Sequence, residues 1–244
     1  MSEHDALVLS LQRELQAKDR ALSDFAYSVS HDLKAHLRHI KAYVQVLRED
    51  MGEVLQPEWQ AHMDVVQSAA QKMGQQLDGL MALAQIDRQP LACLPLDMNA
   101  LIQDARQALA ADGAGRDVQW QIASDFPALQ GDIAMVRQIW IRLLSNALKY
   151  TQQRAPALIT VAWERDAQGC WCYVQDNGVG IESAQIGRLF KAFQKLHASD
   201  DGLGMGLAMV RRWVERQGGQ VQARALPQGS WFGFCLPEGQ TSGS

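Results

Sequence analysis

Phe25-Ala26-Tyr27-Ser28-Val29-Ser30-His31-Asp32-Leu33-Lys34 reads as one stretch of a long amphipathic helix, and that reading sets the architecture of the first half of the chain. Its apolar positions Phe25 and Val29 continue upstream through Leu22, Lys18, Leu15, Leu11 and Val8 in alternating steps of three and four. That is a heptad seam with one polar interruption, at Lys18. Downstream the apolar positions are Leu33, Leu37, Ile40, Val44 and Leu47. The two successive four-residue steps after Val29 are a stutter, which locally unwinds a supercoil. With Val29 at an a position, His31 falls at c and faces outward.

The helix is expected to end near Gly52, and Pro57 suits the first turn of the next one. Trp59, Met63, Val66, Ala70, Met73, Leu77, Leu80 and Ala84 then recur at helical spacing. Two such helices joined by a short loop make an antiparallel hairpin with too little core to stand alone. Two hairpins pairing into a four-helix bundle solve this, which predicts a homodimer. The other way to bury the hairpin is against the second half of the same chain.

The chain has 244 residues, enough for one large domain or two small ones, and its 47% hydrophobic and 20% charged residues are those of a globular protein. Lys and Arg number 23 against 27 Asp and Glu, so a basic footprint for nucleic acid is missing. No apolar run approaches the roughly 18 residues of a membrane span; Ile139-Trp140-Ile141 is broken at once by Arg142. Met1-Ser2-Glu3-His4-Asp5 lacks the basic and apolar regions of a signal peptide. A cytoplasmic, soluble chain is the expectation, with any sensor region or membrane anchor upstream of it. Cys93, Cys170, Cys172 and Cys235 are expected to be buried or half-buried free thiols, because one Cys-x-Cys without a second pair or a histidine is a poor zinc signal.

From about residue 90 the pattern alternates. Helices are expected over 99–109, from an Asp132 cap to about Lys149, and over 206–217, ending at Gly218-Gly219. Strands are expected over 117–123, 157–164, 170–175, 220–225 and 230–236, with the turn Asp166-Ala167-Gln168-Gly169 between the second and third. This is an α/β sandwich. Trp59, Trp140, Trp163, Trp171, Trp213 and Trp231 read as core or interface packing. His36 and His39 are neighbours at i, i+3 with no third metal ligand at helical spacing, so they read as solvated or capping residues.

Three segments carry chemistry. Asn146 and Lys149, in Ser145-Asn146-Ala147-Leu148-Lys149, share a helix face; the amide oxygen suits Mg²⁺ and the ammonium suits phosphate. Asp176-Asn177-Gly178-Val179-Gly180-Ile181 follows a strand, where a carboxylate can accept from an exocyclic amine and glycines permit close backbone approach. Gly202-Leu203-Gly204-Met205-Gly206-Leu207 opens a helix, whose N-terminal amides suit phosphate. Its spacing fits neither a dinucleotide fingerprint nor a Walker A loop. Residues 191–201 before it read as a mobile lid.

In this order the three segments resemble the ATP-binding domain of the histidine kinase, gyrase, Hsp90 and MutL superfamily, over roughly residues 95–238. Leu189-Phe190-Lys191-Ala192-Phe193-Gln194-Lys195-Leu196-His197 resembles the phenylalanine box of the kinase branch, and residues 25–34 resemble the phosphoacceptor box of sensor histidine kinases, especially phytochrome-like ones. The resemblance implies a coiled-coil signalling linker (1–24), a dimerisation and histidine-phosphotransfer domain (25–90), a catalytic ATP-binding domain (91–238) and a tail (239–244). It implies His31 as the phosphate acceptor with Asp32 orienting its ring. It also implies nucleotide contacts from Asn146, Lys149, Tyr150, Asp176, Gly178, Gly180, Lys195, Gly202, Gly204, Gly206 and Leu207, with Asn146 on Mg²⁺. The cofactors implied are ATP and Mg²⁺, and the partners are a second copy and a response regulator receiver domain.

The chain departs from that family in four places. His36 stands where the family usually has a helix-bending proline, which implies a straighter first helix. Ala35 replaces the Thr or Asn associated with dephosphorylation. Arg142 stands one turn before Asn146, where the family usually has a second Asn; an arginine can be neither base nor metal ligand, but it can contact phosphate or point away. Asp200-Asp201-Gly202 makes a short lid, without the usual threonine at the second glycine box. Beside the kinase reading stand a degenerate homologue that binds nucleotide without phosphorylating and an ATPase of the Hsp90 or MutL type. Against the latter stand the missing glutamate at position 142 and the presence of the His31 box.

Overall fold

The computed structural model describes residues 3–54, 56–195 and 202–237. The chain divides into two compact units, Met1–Gln89 and Pro90–Ser244.

The first unit is a hairpin of α1 (Glu3–Met51) and α2 (Pro57–Ile86). No glycine or proline interrupts α1, which runs unbroken through His36. It stops at Gly52, whose φ of 45° is left-handed, and α2 starts with Pro57 in its first turn. Three ion pairs fix the antiparallel register: Arg48–Asp64, Lys34–Asp78 and Asp24–Arg88. From the first pair to the second, α1 steps back fourteen residues as α2 advances fourteen; from the second to the third, each steps ten. Exposed pairs contribute roughly 0–1 kcal/mol each, so they select the register more than they stabilise it.

The hairpin divides the apolar stripe of α1. Leu37 and Val44 are buried on the strip that also carries Ser30. Phe25, Val29, Leu33, Ile40 and Leu47 stay exposed, as do Trp59, Val66 and Met73 of α2. One partner helix covers only one strip of another, so this second strip is left over. Val8, Leu11, Leu15 and Leu22 lie in α1, but their side chains fall outside the described residues.

The second unit is a five-stranded sheet with a helical layer. The strands are β2 (Val118–Ile122), β4 (Ala157–Asp166), β5 (Gly169–Asp176), β6 (Gln220–Ala225) and β7 (Ser230–Cys235), in the order β2-β4-β5-β7-β6. Only β2–β4 is parallel. The helices are α3 (Met98–Ala108), α4 (Ile133–Tyr150) and α5 (Gly206–Arg216). A separate pair, β1 (Leu94–Leu96) and β3 (Leu129–Gly131), was not legible as strand in the sequence. Fully buried Trp140 of α4 meets Phe234 of β7 edge-on at 5.1 Å between centroids. Trp171, Trp213 and Trp231 are buried as expected, but Trp59 is half exposed.

The cysteines are free, and Cys170, Cys172 and Cys235 are buried. The hydrogen bond with Cys170, and then burial, push the Cys172 thiol well above its ordinary range, which disfavours the thiolate that a metal needs. Cys93 corrects the expectation of burial: it is exposed, because it lies just before the short β1–β3 pair and not in the five-stranded sheet that buries the other three.

Both ends of α4 are tied. Asp132 accepts from Met135 N–H (3.0 Å) as cap and from Ala92 N–H (3.1 Å), while its own N–H donates to Gln217 Oε1 (2.8 Å). At the other end Arg116 donates to the carbonyls of Leu148 (2.9 Å) and Thr151 (2.7 Å), and the Thr151 hydroxyl donates to Ala147 O (2.7 Å). Arg116→Ala leaves the Leu148 carbonyl to the Thr151 hydroxyl (3.3 Å) and the Thr151 carbonyl to the Arg154 N–H (2.9 Å). Loss of the guanidinium hydrogen bonds is expected to cost about 1–3 kcal/mol in urea denaturation; an unchanged midpoint would mean that the remaining donors suffice.

Candidate functional site

α4 packs one face on the sheet and turns Arg142, Asn146 and Lys149 away from it at one-turn spacing. The glycine segment that opens α5 lies beside this strip. A methyl group added at Gly202 would sit 3.6 Å from Lys149 Nζ, and one added at Gly206 would sit 3.9 Å from Arg142 Cδ. Gly204 has φ 68°, and a methyl there would overlap the Gln194 carbonyl, so the segment rests against the backbone of the phenylalanine box itself. In that box Leu189 is buried and Phe190 meets Phe232 of β7 edge-on, while Phe193 and Lys195 are exposed. Leu207 is buried in the first turn of α5. The rest of the lid, with Leu196, His197, Asp200 and Asp201, lies outside the described residues.

Asp176 ends β5 opposite Ser230 of β7. Its carboxylate accepts from Ser230 Oγ (2.6 Å) and Gly178 N–H (2.8 Å) and is almost wholly buried. Gly178 is obligatory here, because a side chain would overlap the Tyr150 carbonyl at the end of α4. That carbonyl accepts from Val179 N–H (3.2 Å), and Lys149 Nζ lies 5.2 Å from the centre of the Tyr150 ring. Gly180 has a left-handed φ of 81°.

α4 therefore touches both glycine segments, bringing Lys149, Tyr150, Gly178, Gly202 and Gly206 together. Residues the sequence reading missed hold them there. Ser230 orients Asp176, and Gly229 approaches so closely that a methyl would overlap the Asp176 carbonyl. Arg154 donates to Gly178 O (3.1 Å). Asn177, read as part of a glycine turn, accepts from Leu158 N–H (2.9 Å) and donates to Pro156 O (3.1 Å). A turn tip at Pro227-Gln228-Gly229 is visible in sequence, but its approach to Asp176 is not.

Among the described residues no group of three or more His, Cys, Asp or Glu side chains could hold a metal ion. The strip offers the Asn146 amide oxygen. One such oxygen suits a Mg²⁺ whose remaining ligands are phosphate oxygens and water.

On the hairpin, His31 points to solvent, about 100° round α1 from buried Ser30. Its Nδ1 lies 3.3 Å from Asp32 Oδ1. His36 and His39 are exposed.

Residues 131–240 match the family model described as histidine kinase-, DNA gyrase B-, and HSP90-like ATPase, and residues 21–89 match the His Kinase A (phospho-acceptor) domain. The phytochrome-like protein Cph1 of Synechocystis sp. is 30% identical over 94% of this chain and 31% of its own length. The phosphate regulon sensor protein PhoR of Pseudomonas aeruginosa is 30% identical over 94% of this chain and 53% of its own. In fold, the chain resembles full-length ShkA in complex with AMPPNP (TM-score 0.59, 23% identity, 86% of this chain and 45% of that one). It likewise resembles the histidine kinase AdeS of Acinetobacter baumannii (TM-score 0.56, 18% identity, 84% and 98%). The architecture is thus that of a phosphoacceptor hairpin followed by an ATPase-type sandwich. The chain belongs to the sensor histidine kinases, and it spans about a third of the length of the phytochrome relatives it matches. Among the described residues no helix is long and apolar enough to cross a membrane.

Burial pushes the Asp176 carboxyl above its ordinary range, against the opposing hydrogen bonds from Ser230 and Gly178. Such a carboxyl holds its proton more tightly folded than unfolded, so it opposes folding as pH rises through the folded pKa and not below the unfolded one. Asp176→Asn is expected to raise the urea midpoint at pH 7, with the gain vanishing on acidification below the usual carboxylate range. A lower midpoint at pH 7 would mean that the hydrogen bonds outweigh the buried charge.

Proposed function

We propose that this chain is the cytoplasmic catalytic core of a dimeric sensor histidine kinase: it uses ATP to phosphorylate His31 and passes the phosphoryl group to an aspartate of a response regulator receiver domain. The observation that carries this reading is an exposed histidine with its own carboxylate partner, in a chain that also brings two glycine segments, one of them opened by buried Asp176, against α4. The domain boundaries 1–24, 25–90, 91–238 and 239–244 go with it. ShkA, which shares the fold, was solved with AMPPNP, and this supports ATP as the ligand here.

In this mechanism Asp176 accepts from the adenine amine, while the glycine segment at α5 and Lys149 hold the phosphates. Asn146 is the side chain that would hold Mg²⁺, which neutralises charge between the phosphates when bound. Asp32 accepts the Nδ1 proton of His31, which fixes the tautomer and leaves the Nε2 lone pair free. Nε2 bonds to the γ-phosphorus as the bond to the bridging oxygen breaks and ADP leaves. The contribution of the protein is positioning and charge neutralisation. Incubation with γ-labelled ATP is expected to give acid-labile, base-stable label on the wild type and none on His31→Ala. Label persisting in His31→Ala would refute the assignment; nucleotide binding without phosphohistidine would favour the degenerate homologue.

A second copy is the expected cover for Ile40, Leu33 and Leu47, since each large apolar side chain buried contributes about 1.5–3 kcal/mol. Ile40→Glu is expected to weaken the dimer at least about tenfold in Kd by sedimentation. An unchanged dimer would place the interface elsewhere.

A further inference from the structure

We propose that Arg142 binds the nucleotide's phosphates directly, making with Lys149 a two-cation clamp that holds the triphosphate with little dependence on a divalent metal. The inference rests on the nucleotide reading given above and assigns a residue to it. Arg142 and Lys149 stand on one strip of α4, two turns apart, and they flank the glycine segment at its two ends. Lys149 Nζ lies by Gly202, and the Arg142 side chain lies by Gly206, the first residue of α5. α5 has eleven residues and no side-chain cap, so no side chain competes for the N–H groups of its first turn. Among the described residues Arg142 has no ion-pair partner, and it is exposed. The buried carboxylate of the site, Asp176, is engaged by Ser230 and Gly178.

A strip with two cations, next to uncapped helix amides, is built for a multiply charged anion. The guanidinium presents two parallel N–H donors that match two phosphate oxygens, which an asparagine at this position would not. The same charge lies one turn from Asn146, so it repels the dication that Asn146 would help to hold. Arg142 thus replaces part of the neutralisation that a metal would otherwise provide.

Calorimetry on the full chain, with ATP and with adenosine, in excess Mg²⁺ and in EDTA, tests this. Wild-type affinity for ATP is expected to change less than about threefold when Mg²⁺ is removed. Arg142→Asn is expected to weaken ATP binding in EDTA by about tenfold or more, the equivalent of one charge-assisted hydrogen bond. Its adenosine binding should be unchanged and Mg²⁺ should now strengthen its ATP binding, while Arg142→Lys should fall between the two. ATP affinity in EDTA within about twofold of wild type for Arg142→Asn overturns the proposal and leaves the nucleotide reading intact. Equal losses of ATP and adenosine overturn it in favour of a packing role. A wild type that binds neither ligand overturns both.

Discussion

The second unit depends on one helix held at both ends. α4 is capped by Asp132 at its start and by Arg116 and Thr151 at its finish, and Trp140 locks its rotation against the sheet. With its axial position and rotation fixed, the strip of Arg142, Asn146 and Lys149 has only one place to face. The last carbonyl of the same helix, that of Tyr150, positions Gly178 and Val179 after Asp176. Structural and chemical roles are therefore read off the two faces of a single element.

Much of this was legible in sequence where local pattern and tertiary demand agree. Long periodic helices and alternating strands were visible, as was the Asp132 cap, because each is specified within its own segment. β1 and β3 were not: they are three residues each, and their only partners are one another, more than thirty residues apart. The hairpin interface was only half visible, because Ser30 lies on the buried strip beside Leu37 and Val44 and carries no apolar signal. At the site, Asp176, Lys149 and the glycines stood out by type and spacing. Ser230, Gly229, Arg154 and Arg116 did not, since each acts across a distance in sequence that only the sheet register closes.

Asp176 illustrates a conflict between stability and chemistry. Its burial raises the cost of its charge, and only the Ser230 hydroxyl and the amides of Gly178 and Ser230 offset this. A group kept at such a cost is the sort of local inconsistency that marks working sites rather than scaffolding. Cys172 is buried as deeply and also perturbed, yet it is hemmed in by neighbouring thiols and the core, with no route to a ligand.

The bond from Ala92 to Asp132 has a consequence for the segment that joins the two units. Arg88, just past the end of α2, is paired with Asp24 and lies over the Tyr27 ring at 5.4 Å. Ala92 is fastened by its amide to the cap of α4. The joining segment is thus held at both of its ends, and the four peptide steps from Arg88 to Ala92 span at most about 14 Å of extended chain. One carboxylate serves two purposes at the second mooring: replacing Asp132 would release the Met135 N–H that opens α4 and the end of the joining segment in a single event.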